Sequence, residues 1–183
     1  MMKLNACLLL LVCIPPSAQV TSDIYRTNAG KVLFSSEARL EVINASSGRL
    51  QGALNTTRRN FAFAVPISSF EGFNVALQKE HFNENYLESD RFPVATFTGK
   101  IIEDIDFSTS GTVEVRAKGQ LTIHGVEQER IIKITLTLQE GKIGVVSKFT
   151  VLLKDHDIKI PKIVHEKIAA EVMIEVHAEL KNN

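Results

Sequence analysis

Apolar and polar residues alternate over long stretches of this chain. Between positions 112 and 123, Val113, Val115, Ala117, Gly119, Leu121 and Ile123 share one parity, while Thr112, Glu114, Arg116, Lys118, Gln120 and Thr122 share the other. Successive side chains of a strand point to opposite faces, so a period of two held this long predicts a β-strand with one dry and one wet side. The stretches "RIIKITLTL", "NFAFAVPI", "IGVVSKFTVLL" and "IAAEVMIEVHAEL" repeat the pattern. In the last of these Val172, Ile174, Val176 and Leu180 turn inward, against Glu171, Glu175, His177 and Glu179 outward. Shorter candidates are "KVLFSSE", "RLQGALN" and "ATFTGKII", with a first strand around "VTSDIYR". Eight or nine strands joined mostly by short turns predict an antiparallel sandwich or barrel.

One segment breaks the alternation. In "SSFEGFNVALQKEHFNENYLESDRFP", Phe73 and Leu77, with His81 or Phe82, recur at helical spacing. The spacing predicts a short helix from about Asn74 to His81, then an irregular stretch ending at Pro93, the whole lying across one end of the sheet.

The inward set is almost free of charge, with Ser147 as its polar member, and it mixes large residues with Gly52, Gly99, Ala117, Gly119, Ala170 and Ala178. Small inward residues leave volume unless a neighbour fills it, and an eight-stranded barrel is just wide enough to be packed solid or to hold one small ligand. Periodicity leaves both readings open: a cavity for an apolar chain, or a core whose small and large residues fit a taper.

The first residues stand apart. "MMKLNACLLLLVCIPPSA" places Lys3 before an apolar run from Ala6 to Ile14, then Pro15, Pro16 and small Ser17 and Ala18. This order is that of a secretory signal peptide cleaved after Ala18, and the run is too short to span a bilayer. Residues 19–183 then form one domain. The 183-residue chain has 21 basic and 21 acidic residues, and losing Lys3 leaves a single excess acid. That balance does not favour nucleic acid or stable membrane insertion. Both cysteines, Cys7 and Cys13, leave with the signal, so the mature chain has no disulfide and suits a periplasm better than a small secreted scaffold.

Three stretches, "FAVPISSFEG", "HFNENYLESDRFPVATFTGKI" and "GQLTIHGVEQERIIKITL", resemble the YceI-like, polyisoprenoid-binding family. The residues that carry the resemblance are Phe82, Phe92, Pro93, Thr96 and Phe97, then Gly119, Leu121, Thr122, Ile123 and Gly125. The resemblance implies an all-β, lipocalin-like antiparallel β-barrel of about eight strands with a short capping helix, usually exported, whose pore holds an isoprenoid or another long-chain amphiphile. Where the family commonly has an arginine followed by acidic and aromatic residues near the end, this chain has Lys154, Asp155 and His156, so the resemblance assigns no headgroup contact there.

Together these readings predict an exported carrier of a hydrophobic small molecule with no catalytic residue, metal or other cofactor, and they leave a homodimer open. Phe61, Phe63, Val65, Phe97, Val115, Gly119, Leu121, Ile134, Leu136, Phe149 and Val151 are expected to line the pore, with Phe73, Leu77 and Phe82 at its mouth. Gly119→Trp is expected to block uptake while leaving the sheet formed. Two rivals are a packed interaction module and an enzyme using His81 or His156 at the mouth. No G-x-S-x-G turn, HExxH pair or phosphate loop supports the enzyme. The "DHD" run at 155–157 cannot aim three adjacent side chains at one metal.

Overall fold

The computed structural model describes residues 23–182; the expected signal peptide lies outside them. Eight strands form one closed antiparallel barrel in sequence order: β1 (Ile24–Glu37), β2 (Val42–Asn55), β3 (Asn60–Pro66), β4 (Val94–Ile101), β5 (Gly111–Ile123), β6 (Val126–Gln139), β7 (Lys142–Leu152) and β8 (Glu171–Asn182). Pairing of β1 with β8 closes the ring, which removes the exposed edges an open sheet would present. The barrel and its capping helix are those the sequence predicts.

Strand boundaries depart from expectation where the alternation is broken. "VTSDIYR" and "KVLFSSE" belong to one strand, β1, whose pairing with β2 slips on both sides of Gly30. On β2 the inward parity runs through Ala45 and Ser47 and resumes at Leu50 and Leu54, so residues 48 and 49 take up the slip. Such bulges insert a residue and reverse every face beyond them. By contrast β5 and β6 pair without interruption from Gly111↔Leu138 to Ile123↔Val126. They are joined by His124 and Gly125 alone, both with positive φ (52° and 73°), the type I′ geometry that a right-twisted hairpin favours.

The two ends of the barrel differ. At the end holding the β2–β3, β4–β5 and β6–β7 turns, Leu54, Ile101, Val115, Ala117, Leu136 and Leu180 meet in a solid core. Ile105 and Phe107 of the β4–β5 connection pack against it from below. That connection is tied down by Glu103, whose carboxylate accepts from the Arg116 backbone N–H and Nε, both at 2.7 Å. Asp106 accepts from Ser108 and Thr109, which holds its carboxyl down to about 2.

At the opposite end lie the long β3–β4 and β7–β8 connections. The first carries α1 (Ala76–His81), which runs into a single π-helical turn over Phe82–Tyr86. Here the expected helix start at Asn74 gives way to extended Val75, while the Gln78 side chain turns back to accept from the Asn74 N–H at 3.0 Å. The second connection carries short 3₁₀ turns at Leu153–His156 and Lys162–Val164.

Candidate functional site

Above the solid core the barrel is hollow. A cavity of about 500 Å³ opens between the upper strands and the cap, a size common for small-molecule sites. Its floor is a cluster of Phe61, Phe63 and Phe97, with ring centroids of Phe61 and Phe97 4.9 Å apart. Its walls include Leu121, Ile134, Phe149 and Val151, with Val65 nearer the cap. The expected mouth residues Phe73, Leu77 and Phe82 also face it.

Three expected lining residues stand elsewhere. Val115 and Leu136 are buried in the solid end, where the barrel is filled by their own side chains. Gly119 pairs with Gly99, and a Cβ on it would meet the Thr98 carbonyl oxygen at 2.2 Å, so the glycine serves a close approach of β4 and β5 and leaves no void. Gly52 is covered in the same sense, because the Phe63 ring lies where its Cβ would be. The small residues therefore do not mark the cavity.

Residues that the alternation did not reveal complete the site. Phe34 and Phe70 join Phe73 and Phe82 in one aromatic cluster, with Phe34 stacked on Phe82 at 5.4 Å and 12°. This cluster fastens the cap to the β1 wall. Aromatic pairs contribute about 1 kcal/mol each beyond their buried area, enough to hold a short helix that could not stand alone. The recurrence of Phe70 and Phe73 around Gly72 was the available signal.

The cavity offers little free polarity. Ser147 Oγ donates to the Lys133 carbonyl at 2.8 Å, and Ser36 Oγ accepts from the Ala169 N–H at 3.0 Å, so both serines that line the cavity serve the backbone. Tyr86 lies on the wall, where burial raises its phenol above the ordinary range and keeps it neutral. Glu41, Gln78, His81 and Lys167 ring the mouth, with Gln78 Nε2 donating to Glu41 Oε1 at 2.6 Å. Among the described residues no group of three or more His, Cys, Asp and Glu is gathered to hold a metal.

Of the two histidines that the enzyme reading invoked, His81 borders the cavity mouth, while His156 has structural surroundings. His156 is fully buried at the end of the first 3₁₀ turn of the β7–β8 connection, its Nδ1 donating to the Val126 carbonyl at 3.1 Å and its Nε2 without a hydrogen-bond partner. Its own carbonyl faces His124 Nδ1 at 3.1 Å, and His124 Nε2 faces Glu88 at 3.1 Å. Burial lowers the His156 pKa, because an imidazolium would have to shed its water. The unfolded chain then binds a proton that the folded chain resists, so His156 contributes stability above about pH 6.5 that is lost as pH falls below it. Melting at pH 5 should therefore occur below melting at pH 7.5, and His156→Gln should narrow that difference. An equal pH dependence in the variant would show that another group is responsible.

Among the described residues no helix is long and apolar enough to cross a membrane. No curated protein is a significant match to the chain. Solved structures do share its fold. A polyisoprenoid-binding domain from Saccharophagus degradans, implicated in plant cell wall breakdown, matches with a TM-score of 0.74 at 14% identity, covering 88% of this chain and 99% of that one. BcnA of Burkholderia cenocepacia gives 0.68 at 14%, over 82% and 95%. The YceI protein of Campylobacter jejuni gives 0.57 at 14%, over 100% and 94%. The profile of the YceI-like domain matches residues 26–180, nearly the whole barrel described above, and the chain accordingly belongs to the YceI-like family.

Proposed function

We propose that this protein is an exported carrier or sequestering protein that holds one long hydrophobic chain, of the polyisoprenoid or fatty acyl type, in the hollow half of its barrel. The observation that carries this reading is the cavity itself: walled by phenylalanine and aliphatic side chains, stopped at one end by a solid core and covered at the other by the aromatic cap. The polyisoprenoid-binding domain with the same fold supports the ligand class. The order of charge, apolar run and small residues over 1–18 supports export to a periplasm or beyond. The two serines that line the cavity are engaged with the backbone, which favours binding over catalysis.

Burial of each methylene contributes about 0.8 kcal/mol, so roughly ten methylenes contribute about 8 kcal/mol, of which ligand ordering takes back several. Displacement of a fluorescent polyene fatty acid by alcohols of increasing chain length tests the reading. Affinity should rise by about fourfold per methylene and then level off when the cavity is full. Affinity indifferent to chain length would overturn it and favour the packed interaction module.

A further inference from the structure

Three segments meet at the cavity mouth: the β1–β2 turn, α1 with its approach, and the 161–168 part of the β7–β8 connection. They are bound to one another. The Leu40 N–H donates to the Glu166 carbonyl at 2.9 Å, Arg39 pairs with Glu166, and Asn74 Nδ2 donates to the Val42 carbonyl at 3.0 Å. Yet this joined rim leaves Leu40, Val42, Val75, Leu77 and Ile163 exposed, Ile163 by 92%. Nine large apolar residues are exposed among those described, and these five fall on the three rim segments while the other four are scattered over the strands and one loop. Single exposed apolar residues need no explanation, but five on segments bound together around one opening do.

The charges around the rim are unequal in kind. Three of its acids are engaged: Glu166 with Arg39, Glu71 with Lys79 and Glu41 with Gln78. Glu80 and Glu84 are exposed on the cap without an ion pair among the described residues, so the basic character is confined to the 161–168 loop. Lys162 and Lys167, flanking Ile163, have no ion pair among the described residues. Val164 and Ile168 of the same loop turn inward and line the cavity, so the loop continues the apolar wall outward to its exposed tip. The near-zero net charge of the chain hides this local arrangement.

We propose that the rim docks on the surface of an anionic lipid bilayer, with Ile163 entering the headgroup layer, Lys162 and Lys167 meeting lipid phosphates, and the cavity mouth facing the membrane. The contact is peripheral. Its purpose, loading and unloading a chain without exposing it to water, rests on the carrier reading; the contact itself rests on the rim. Apolar insertion beside basic side chains is how interfacial segments bind, and each lysine near an anionic surface strengthens binding about fivefold.

Co-sedimentation of the purified protein with vesicles of phosphatidylethanolamine and phosphatidylglycerol tests the proposal. Binding is expected at low salt and should weaken in high salt or on vesicles of phosphatidylcholine alone. Ile163→Asp, and separately the double change Lys162→Glu with Lys167→Glu, should weaken it by about tenfold or more. Val146→Asp, on the side of the barrel, should leave it unchanged. Absence of binding by the wild type, equal loss in V146D, or a dimer formed through the rim in place of vesicle binding would overturn the proposal. The same samples, weighed intact for bound ligand, separate the two claims: ligand without vesicle binding defeats docking alone, and vesicle binding without ligand defeats the carrier reading alone.

Discussion

Gly119→Ala will lower the melting temperature of the barrel by about 10 °C, the larger of two effects expected from single substitutions. Gly119 and Gly99 are register partners on β5 and β4, and the backbones press together there. An added Cβ on Gly119 would lie 2.2 Å from the Thr98 carbonyl oxygen, 2.9 Å from its carbonyl carbon and 3.0 Å from Gly99 Cα. All three are backbone atoms, so no side chain can swing away to make room. Overpacking of this kind costs about 3 kcal/mol, and in a domain of this size each kcal/mol is worth roughly 3 °C. Gly48→Ala is the control, since nothing lies within 4 Å of its added Cβ. Calorimetric melting of the two variants checks the claim; equal melting temperatures would contradict it. It follows that Gly119→Trp, expected from sequence to plug the pore, would break the β4–β5 ladder instead.

A true plug belongs higher on the wall. Val176 is half-buried on β8, between its register partners Val32 and Ser147, and faces the cavity. Val176→Trp should put an indole ring across the cavity of roughly 500 Å³ and weaken binding of a long-chain ligand by about 100-fold or more, while the strand ladder remains. Val146 lies one residue beyond Val145 on β7, paired with His177, and points outward at 44% exposure. Val146→Trp should therefore leave binding as it was. Ligand titration with circular dichroism on both variants gives the answer, and a Val176→Trp protein that binds like the wild type would place the ligand elsewhere.

Much of this fold could be read from sequence because five strands alternate without a break. Val113 to Ile123 and Ile132 to Leu138 keep one parity from end to end, and the His124-Gly125 pair marks the turn between them. The alternation failed at β1 and β2 for a physical reason. The bulge near Gly30 and residues 48–49 shifts the inward face, and inward Ser36 and Ser47 read as polar. Ser47 is dry because its hydroxyl meets that of Ser69 at 2.6 Å, a partner 22 positions away that no local pattern announces.

The division of the barrel into solid and hollow halves was not legible either. Val115 and Val151 are the same residue type at the same inward parity, yet one is packed against Leu136 and Leu180 and the other borders the cavity. What separates them is height along the barrel axis, which depends on strand tilt and stagger and on which connections plug an end. Glycines misled for a related reason: in a strand, a missing side chain signals open volume or close approach with the same letter.

The central claim is that the hollow half holds a long apolar chain, and native mass spectrometry of protein taken from its native cells tests it most directly. A discrete added mass that denaturing extraction moves into organic solvent is the expected result, and its fragmentation identifies the ligand class. A bare protein mass that stays unchanged after incubation with excess long-chain polyprenol or fatty acid would contradict the account.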